Sequence, residues 1–119
     1  MSMKKIVIVD DENNFLLSLK DGLSEFSDTF SILSANNGQE ALDLLAGEEV
    51  HLVITDIKMP VMDGFELLAQ MSTDYSDIPV IVMTAFGSSE MEDRLDSMGA
   101  FQYIEKPIDF DVLIDKVNE

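Results

Sequence analysis

The chain has no cysteine among its 119 residues. Disulfides and thiolate metal sites are therefore excluded, and a reducing, cytoplasmic setting is expected. No apolar run approaches the roughly 18 residues a membrane span needs, and Met1 to Lys5 leads into a strand rather than a signal peptide. Basic residues are scarce, with 7 Lys and Arg against 24 Asp and Glu and a formal net charge of -17. A surface so poor in Lys and Arg lacks the footprint that phosphate backbones require, which argues against direct nucleic-acid binding. Neither GxGxxG nor GxxxxGK[ST] occurs, so nucleotide binding has no motif support. The one histidine, His51, has no partner at metal-ligand spacing and reads as a structural or exposed residue at a strand entry. Linkers, low-complexity tracts and repeats are also missing, and the length suits one domain over 1–119.

What is present alternates two periods. KIVIV, FSILSA, HLVIT, PVIVMT and QYIE are short β-branched or apolar runs, each about as long as a buried strand. Between them the apolar residues follow helical spacing: Phe15, Leu16, Leu19 and Leu23; Ala41, Leu42, Leu44 and Leu45; Phe65, Leu67, Leu68 and Met71; Met91, Leu95 and Met98. A last stripe, in a helix starting from Asp109, holds Phe110, Leu113, Ile114 and Val117. Asn37, Gly38 and Gly47 bracket the second helix, Asp63 is a cap for the third, Gly99 follows the fourth, and Pro107 follows the last strand. Strand and helix in alternation predict a doubly wound α/β fold: a five-stranded parallel sheet covered on both faces by five helices.

In open sheets of this class, ligands bind beyond the carboxyl ends of the strands. The first strand runs IVIV straight into Asp10, Asp11 and Glu12; the third ends in Asp56, the fourth in Thr84, the fifth in Lys106. Singly, Asp or Thr at a strand end is most often a cap or turn former. Together they bring three acids, a hydroxyl and an amine to one edge. Two carboxylates about 4 Å apart repel by roughly 4 kcal/mol at an effective dielectric near 20, and a third adds to this. Such a cluster takes up a proton or a cation. With oxygen ligands alone the fitting ion is hard, and Mg²⁺ suits because it is held by one or two carboxylates while keeping positions for water and phosphate.

The segments IVIVDDE, VITDIKMPVMDG, VIVMTAFG and YIEKP, in this order and spacing, resemble the signature segments of two-component response regulator receiver domains. The resemblance covers essentially the whole chain. It implies the flavodoxin-like strand order 2-1-3-4-5, with Asp56 as phosphoacceptor, Asp11 as a direct Mg²⁺ ligand, Asp10 as a ligand mostly through water, and the backbone carbonyl of Lys58 as a further ligand. It also implies that Thr84 and Lys106 grip phosphoryl oxygens, that Tyr103 is the switch aromatic, and that the Lys106–Pro107 peptide is cis. Met59 and Pro60 match the family in the loop after Asp56. The implied partners are a sensor histidine kinase or phosphotransfer protein as donor and an output domain or protein at the face of the fourth helix, fifth strand and last helix.

Phosphoryl transfer asks a protein mainly for positioning and charge stabilisation, and these residues are of the right types for it. The expected role is that of a phosphorylation-dependent signalling module that promotes its own aspartyl phosphorylation and dephosphorylation, not of an enzyme acting on other substrates. A haloacid-dehalogenase-type phosphatase would need an Asp two residues after its nucleophile; that place holds Lys58 after Asp56 and Glu12 after Asp10. A flavin carrier shares the fold class, but three acids at the phosphate edge would repel the cofactor's phosphate. A pseudo-receiver is disfavoured because every site residue is present.

Overall fold

The computed structural model describes residues 4–26, 29–85 and 87–117. Met1 to Met3, the start of the lead-in to the first strand, lie outside the described residues, as do Asn118 and Glu119 within the expected 1–119 domain. The described residues form β1 (Lys4–Val9), α1 (Asn13–Phe26), β2 (Phe30–Ala35), α2 (Gly38–Gly47), β3 (Leu52–Asp56), α3 (Gly64–Asp74), β4 (Val80–Thr84), α4 (Ser89–Ser97), β5 (Gln102–Glu105) and α5 (Phe110–Val117). The five strands make one parallel sheet in the order β2-β1-β3-β4-β5, the expected flavodoxin-like order.

The continuous apolar runs are explained by burial on both faces. Successive strand side chains point to opposite sides, so β1 sends Ile6 and Ile8 into one core and Val7 and Val9 into the other, all four at 0% exposure. Ile6 and Ile8 meet Ile54, Ile81, Met83, Leu16, Leu19 and Leu113 in the core shared by α1 and α5. Val7 and Val9 meet Val53, Val82, Leu67, Leu68, Met71 and Leu95 in the core shared by α2, α3 and α4.

Local chemistry fixes where helices start. Asn37 caps α2 by accepting the N–H of Glu40, and Ser88 caps α4 by accepting that of Met91. Asp63 and Glu66 form a reciprocal capping box on α3, as the cap reading of Asp63 requires. Asp109 Oδ1 accepts the N–H of Asp111 at 2.9 Å, so the helix expected from Asp109 begins at Phe110 with Asp109 just outside it. His51 is structural: its N–H donates to the Lys5 carbonyl and its Nδ1 accepts the Lys5 N–H, each at 2.9 Å.

One stripe residue differs from expectation. Leu113, Ile114 and Val117 are buried, but Phe110 keeps 39% of its surface exposed. It is the first residue of α5, and its ring lies sideways over Gly22 of α1, where an added Cβ would come within 2.3 Å of a ring carbon.

The loop after β3 has little freedom. The Gly64 N–H donates to the Ile57 carbonyl at 2.7 Å, and a Cβ on Gly64 would sit 2.3 Å from the Asp56 carbonyl oxygen and 2.8 Å from the Ile57 Cα. These obstacles are backbone and cannot rotate away. Gly64→Ala should therefore cost about 2–4 kcal/mol of stability, whereas Asp63→Ala, which removes only a cap, should cost about 1 kcal/mol. Urea unfolding midpoints of the two variants, at unchanged m-value, check the order; equal losses would mean that the close approach at Gly64 relaxes freely.

Candidate functional site

Parallel strands in register deliver their carboxyl ends to one edge. Val9 lies opposite Thr55, so the next residues, Asp10 and Asp56, adjoin across β1 and β3. Asp56 pairs with Met83, which sets Thr84 one step further along β4; Thr84 pairs with Glu105, after which comes Lys106. The Lys106 N–H donates to the Thr84 carbonyl at 2.8 Å, tying the two strand ends together, and the Lys106–Pro107 peptide is cis. The strand-end residues picked out in the sequence thus meet at this edge.

Asp10 is fully buried, and a buried carboxylate must be partnered. Its Oδ1 accepts the Glu12 N–H at 3.0 Å and its Oδ2 accepts a proton of the Lys106 ammonium at 3.0 Å. Asp56 Oδ1 accepts the Ile57 N–H at 2.8 Å, and its Oδ2 lies 3.3 Å from the same ammonium. Asp11 is exposed at the rim. One oxygen from each of Asp10, Asp11 and Asp56 lies within 4.8 Å of the others. That spacing and the all-oxygen donor set fit a hard divalent cation.

The charges leave a signature. Burial first, and then the neighbouring Asp10 carboxylate, raise the pKa of Asp56 above the ordinary carboxylate range, against the lowering effect of the Ile57 N–H and of Lys106. Burial works against the Lys106 ammonium, but the hydrogen bond to Asp10 and the charges of Asp56 and Asp10 outweigh it and hold its pKa above that of an ordinary lysine. Lys106 has a third neighbour, since its Nζ lies 4.4 Å from the centroid of the Phe15 ring. By its spacing Phe15 reads only as a member of a core stripe; helical spacing carries no signal for this contact.

Beside Asp56 opens a cavity of about 310 Å³ lined by Ile57, Lys58, Thr84, Ala85, Met91 and Lys106 as well as Asp56 itself. Thr84 and Met91 also line a second cavity of about 220 Å³, which Tyr103 borders between α4, β5 and α5. Tyr103 is half-buried, and partial burial together with the charges of Glu92 and Asp96 raises the pKa of its hydroxyl. Met59 and Pro60 sit in a loop tightened by the Met62 N–H donating to the Pro60 carbonyl at 2.7 Å, with Val61 between them at φ 67°. A β-branched residue in the left-handed region is strained, and neither the motif nor the composition announces it.

The raised Asp56 pKa has a consequence for stability. A carboxyl whose pKa is higher in the folded state contributes stability below the unfolded value of 3.8, and loses it as pH rises through the folded value. At neutral pH, without metal, the folded chain bears that cost. Asp56→Asn, neutral and isosteric, should then melt about 2–5 °C above the parent near pH 7 in chelator, and the gain should narrow as pH falls through the folded value toward 3.8. Calorimetry at several pH values checks this, and a gain that widens on acidification would reverse the sign of the electrostatic argument.

Comparison with known proteins points to one family. The sequence profile described as "Response regulator receiver domain" matches residues 6–118. Sporulation initiation phosphotransferase F of Bacillus subtilis is 35% identical over 119 residues, covering 100% of this chain and 94% of that one. Regulatory protein AtoC of Escherichia coli is 38% identical over 112 residues, but this chain, covered to 94%, spans only 24% of AtoC's length. Among solved structures, response regulator protein TrrA of Thermotoga maritima, in complex with Mg(2+)-BeF, superimposes with a TM-score of 0.86 at 37% identity over 98% of this chain and 97% of that one. With five parallel strands in the expected order and the acids, hydroxyl and amine gathered at their ends, this chain belongs to the response regulator receiver domain family.

Proposed function

We propose that this two-component receiver takes a phosphoryl group onto Asp56 from the phosphohistidine of a sensor histidine kinase or phosphotransfer protein, and that 1–119 works as one receiver domain. The observation that carries the reading is the Lys106 ammonium set between Asp10 and Asp56, 3.0 and 3.3 Å away, beside an open cavity. An Asp56 carboxylate oxygen attacks phosphorus, the P–N bond breaks, and its electron pair returns to the donor imidazole, leaving an aspartyl phosphate. Lys106 offsets negative charge on the phosphoryl oxygens, while the Thr84 hydroxyl and the Ala85 N–H donate hydrogen bonds to them. Asp10, Asp11 and Asp56, with the Lys58 backbone carbonyl, would hold Mg²⁺, which when bound supplies positive charge against the transferring group. The cavity beside Asp56 is open enough to admit water, so the same residues serve the later hydrolysis.

Output is read at the face of α4, β5 and α5, where an output domain or separate protein docks. Thr84 borders both cavities, so drawing its hydroxyl toward a phosphoryl group on Asp56 frees space behind it. Packed interiors favour discrete arrangements, and Tyr103 turns inward to fill that space. Pro107 serves a structural role at the end of β5. Among the described residues no helix is long and apolar enough to cross a membrane, and with no cysteine in the chain we place it in the cytoplasm, without membrane or nucleic-acid contact of its own.

Two experiments test this reading. Acetyl phosphate with Mg²⁺ should add one phosphoryl group by intact mass to the parent and none to Asp56→Asn, and Asp11→Ala should abolish the rise in melting temperature that Mg²⁺ gives the parent. Full phosphorylation of Asp56→Asn would move the acceptor elsewhere. By NMR, beryllofluoride should shift the Tyr103 ring signals in the parent but leave them in place in Thr84→Ala, although Asp56 is engaged in both; a parent ring that does not respond would mean that output bypasses Tyr103.

A further inference from the structure

Lys106 is held on three sides. An ammonium has three N–H donors and no acceptor. Asp10 Oδ2 lies at 3.0 Å, Asp56 Oδ2 at 3.3 Å, and the ring centroid of Phe15 at 4.4 Å. Two carboxylates and one aromatic face therefore occupy the surroundings of the charge, and the side chain retains 21% exposure. The ring reaches this place because Phe15 is the third residue of α1 and helical side chains lean back toward the N-terminus, here toward the strand edge that carries Asp10. It is held there from behind, packed against the core that contains Leu16, Leu113 and Ile114.

The three contacts are not equivalent. Asp10 and Asp56 are also the carboxylates assigned to the cation, and Asp56 carries the incoming phosphoryl group, so the site's own chemistry competes for both of the ammonium's anionic partners. The ring is engaged by neither. A lysine has four flexible side-chain bonds, and one released from its partners loses its aim through rotamer freedom. We propose that Phe15 is a positioning residue that, through the face of its ring, keeps Lys106 directed at Asp56 when metal and phosphoryl group engage the two carboxylates. The inference rests on the reading of Asp56 as acceptor. It differs from the plain alternative, in which Phe15 only fills the edge of the core and any apolar side chain of similar size would serve.

Stepwise fluorination separates the two, because it weakens the negative face of the ring while nearly preserving its shape. Phe15 is replaced by mono-, di- and trifluorophenylalanine in the 119-residue chain, and the dissociation constant for beryllofluoride is measured at saturating Mg²⁺ alongside the ¹⁵N signal of the Lys106 ammonium. Affinity should fall step by step with fluorine number, by about two- to fivefold at trifluoro, with the Lys106 signal broadening in parallel and little change in melting temperature. Phe15→Tyr should retain the parent's affinity, Phe15→Leu should lose as much as the trifluoro variant, and the same fluorine series built on Lys106→Met should be flat. Equal affinity along the series, or an equal decline without Lys106, overturns the proposal. A parent that takes up no beryllofluoride overturns the acceptor reading and this inference together, whereas a parent that binds it with a flat series overturns this inference alone.

Discussion

The interaction on which this structure turns is repulsion among carboxylates that the sheet forces together. Asp10 and Asp56 adjoin because β1 and β3 are parallel and in register, and Asp10 is wholly withdrawn from water, where a charge is most costly to leave unpaired. In a chain of net charge -17 there is no general positive field to offset them. One ammonium does so, delivered by β5 from two strands away. The sign of the Asp56 shift shows that the compensation is incomplete: burial and Asp10 still prevail over Lys106 and the Ile57 N–H. A site left short of positive charge is poised to take up a cation, and a carboxylate raised in pKa by burial is one from which water has been partly removed.

The fold supplies this tension rather than merely hosting it. Strands apolar on both faces need cover on both sides; the helical crossovers supply it and, by returning the chain each time to the same end of the sheet, keep the strands parallel with all carboxyl ends on one edge. Gly64, pressed against the Asp56 carbonyl, and the tight turn at Val61 then shape the loop that follows β3. Thr84 links this edge to the second cavity, so the same strand end that faces Asp56 also borders the space beside Tyr103.

Much of this was legible in the sequence. FSILSA and QYIE are β2 and β5 to the residue, as short β-branched and aromatic runs bounded on at least one side by turn formers, Asn36-Asn37 and Pro107. Asp63 announced its capping box through Glu66 three residues on, a purely local pattern. Asp10, Asp56, Thr84 and Lys106 were visible as polar ends of apolar runs, and their convergence followed from parallel topology alone. What was hidden is tertiary and lateral. Phe110 fits its helical stripe, yet it turns aside onto Gly22 because it stands at the first turn of α5. The nearness of the Glu92 charge to Tyr103 depends on where α4 lies against β5, and the Phe15 ring beside Lys106 on how α1 leaves β1. The positive φ of Val61 contradicts its residue type, as strain near functional sites often does.

The identity of the central cation also follows from these constraints. An arginine at position 106 would carry the same charge, but its planar fork matches one carboxylate bidentately and would tend to clamp Asp10 or Asp56 rather than be shared between them. In the function proposed above, a clamped Asp56 would be a poor nucleophile and a clamped Asp10 a poor cation ligand. The compact ammonium instead spreads its interaction over two carboxylates at 3.0 and 3.3 Å and a ring face at 4.4 Å, none of them bidentate. Each contact is individually replaceable. Lysine thus holds the acids together while leaving each of them free to exchange that contact for the metal or phosphoryl oxygen that the proposed function would bring.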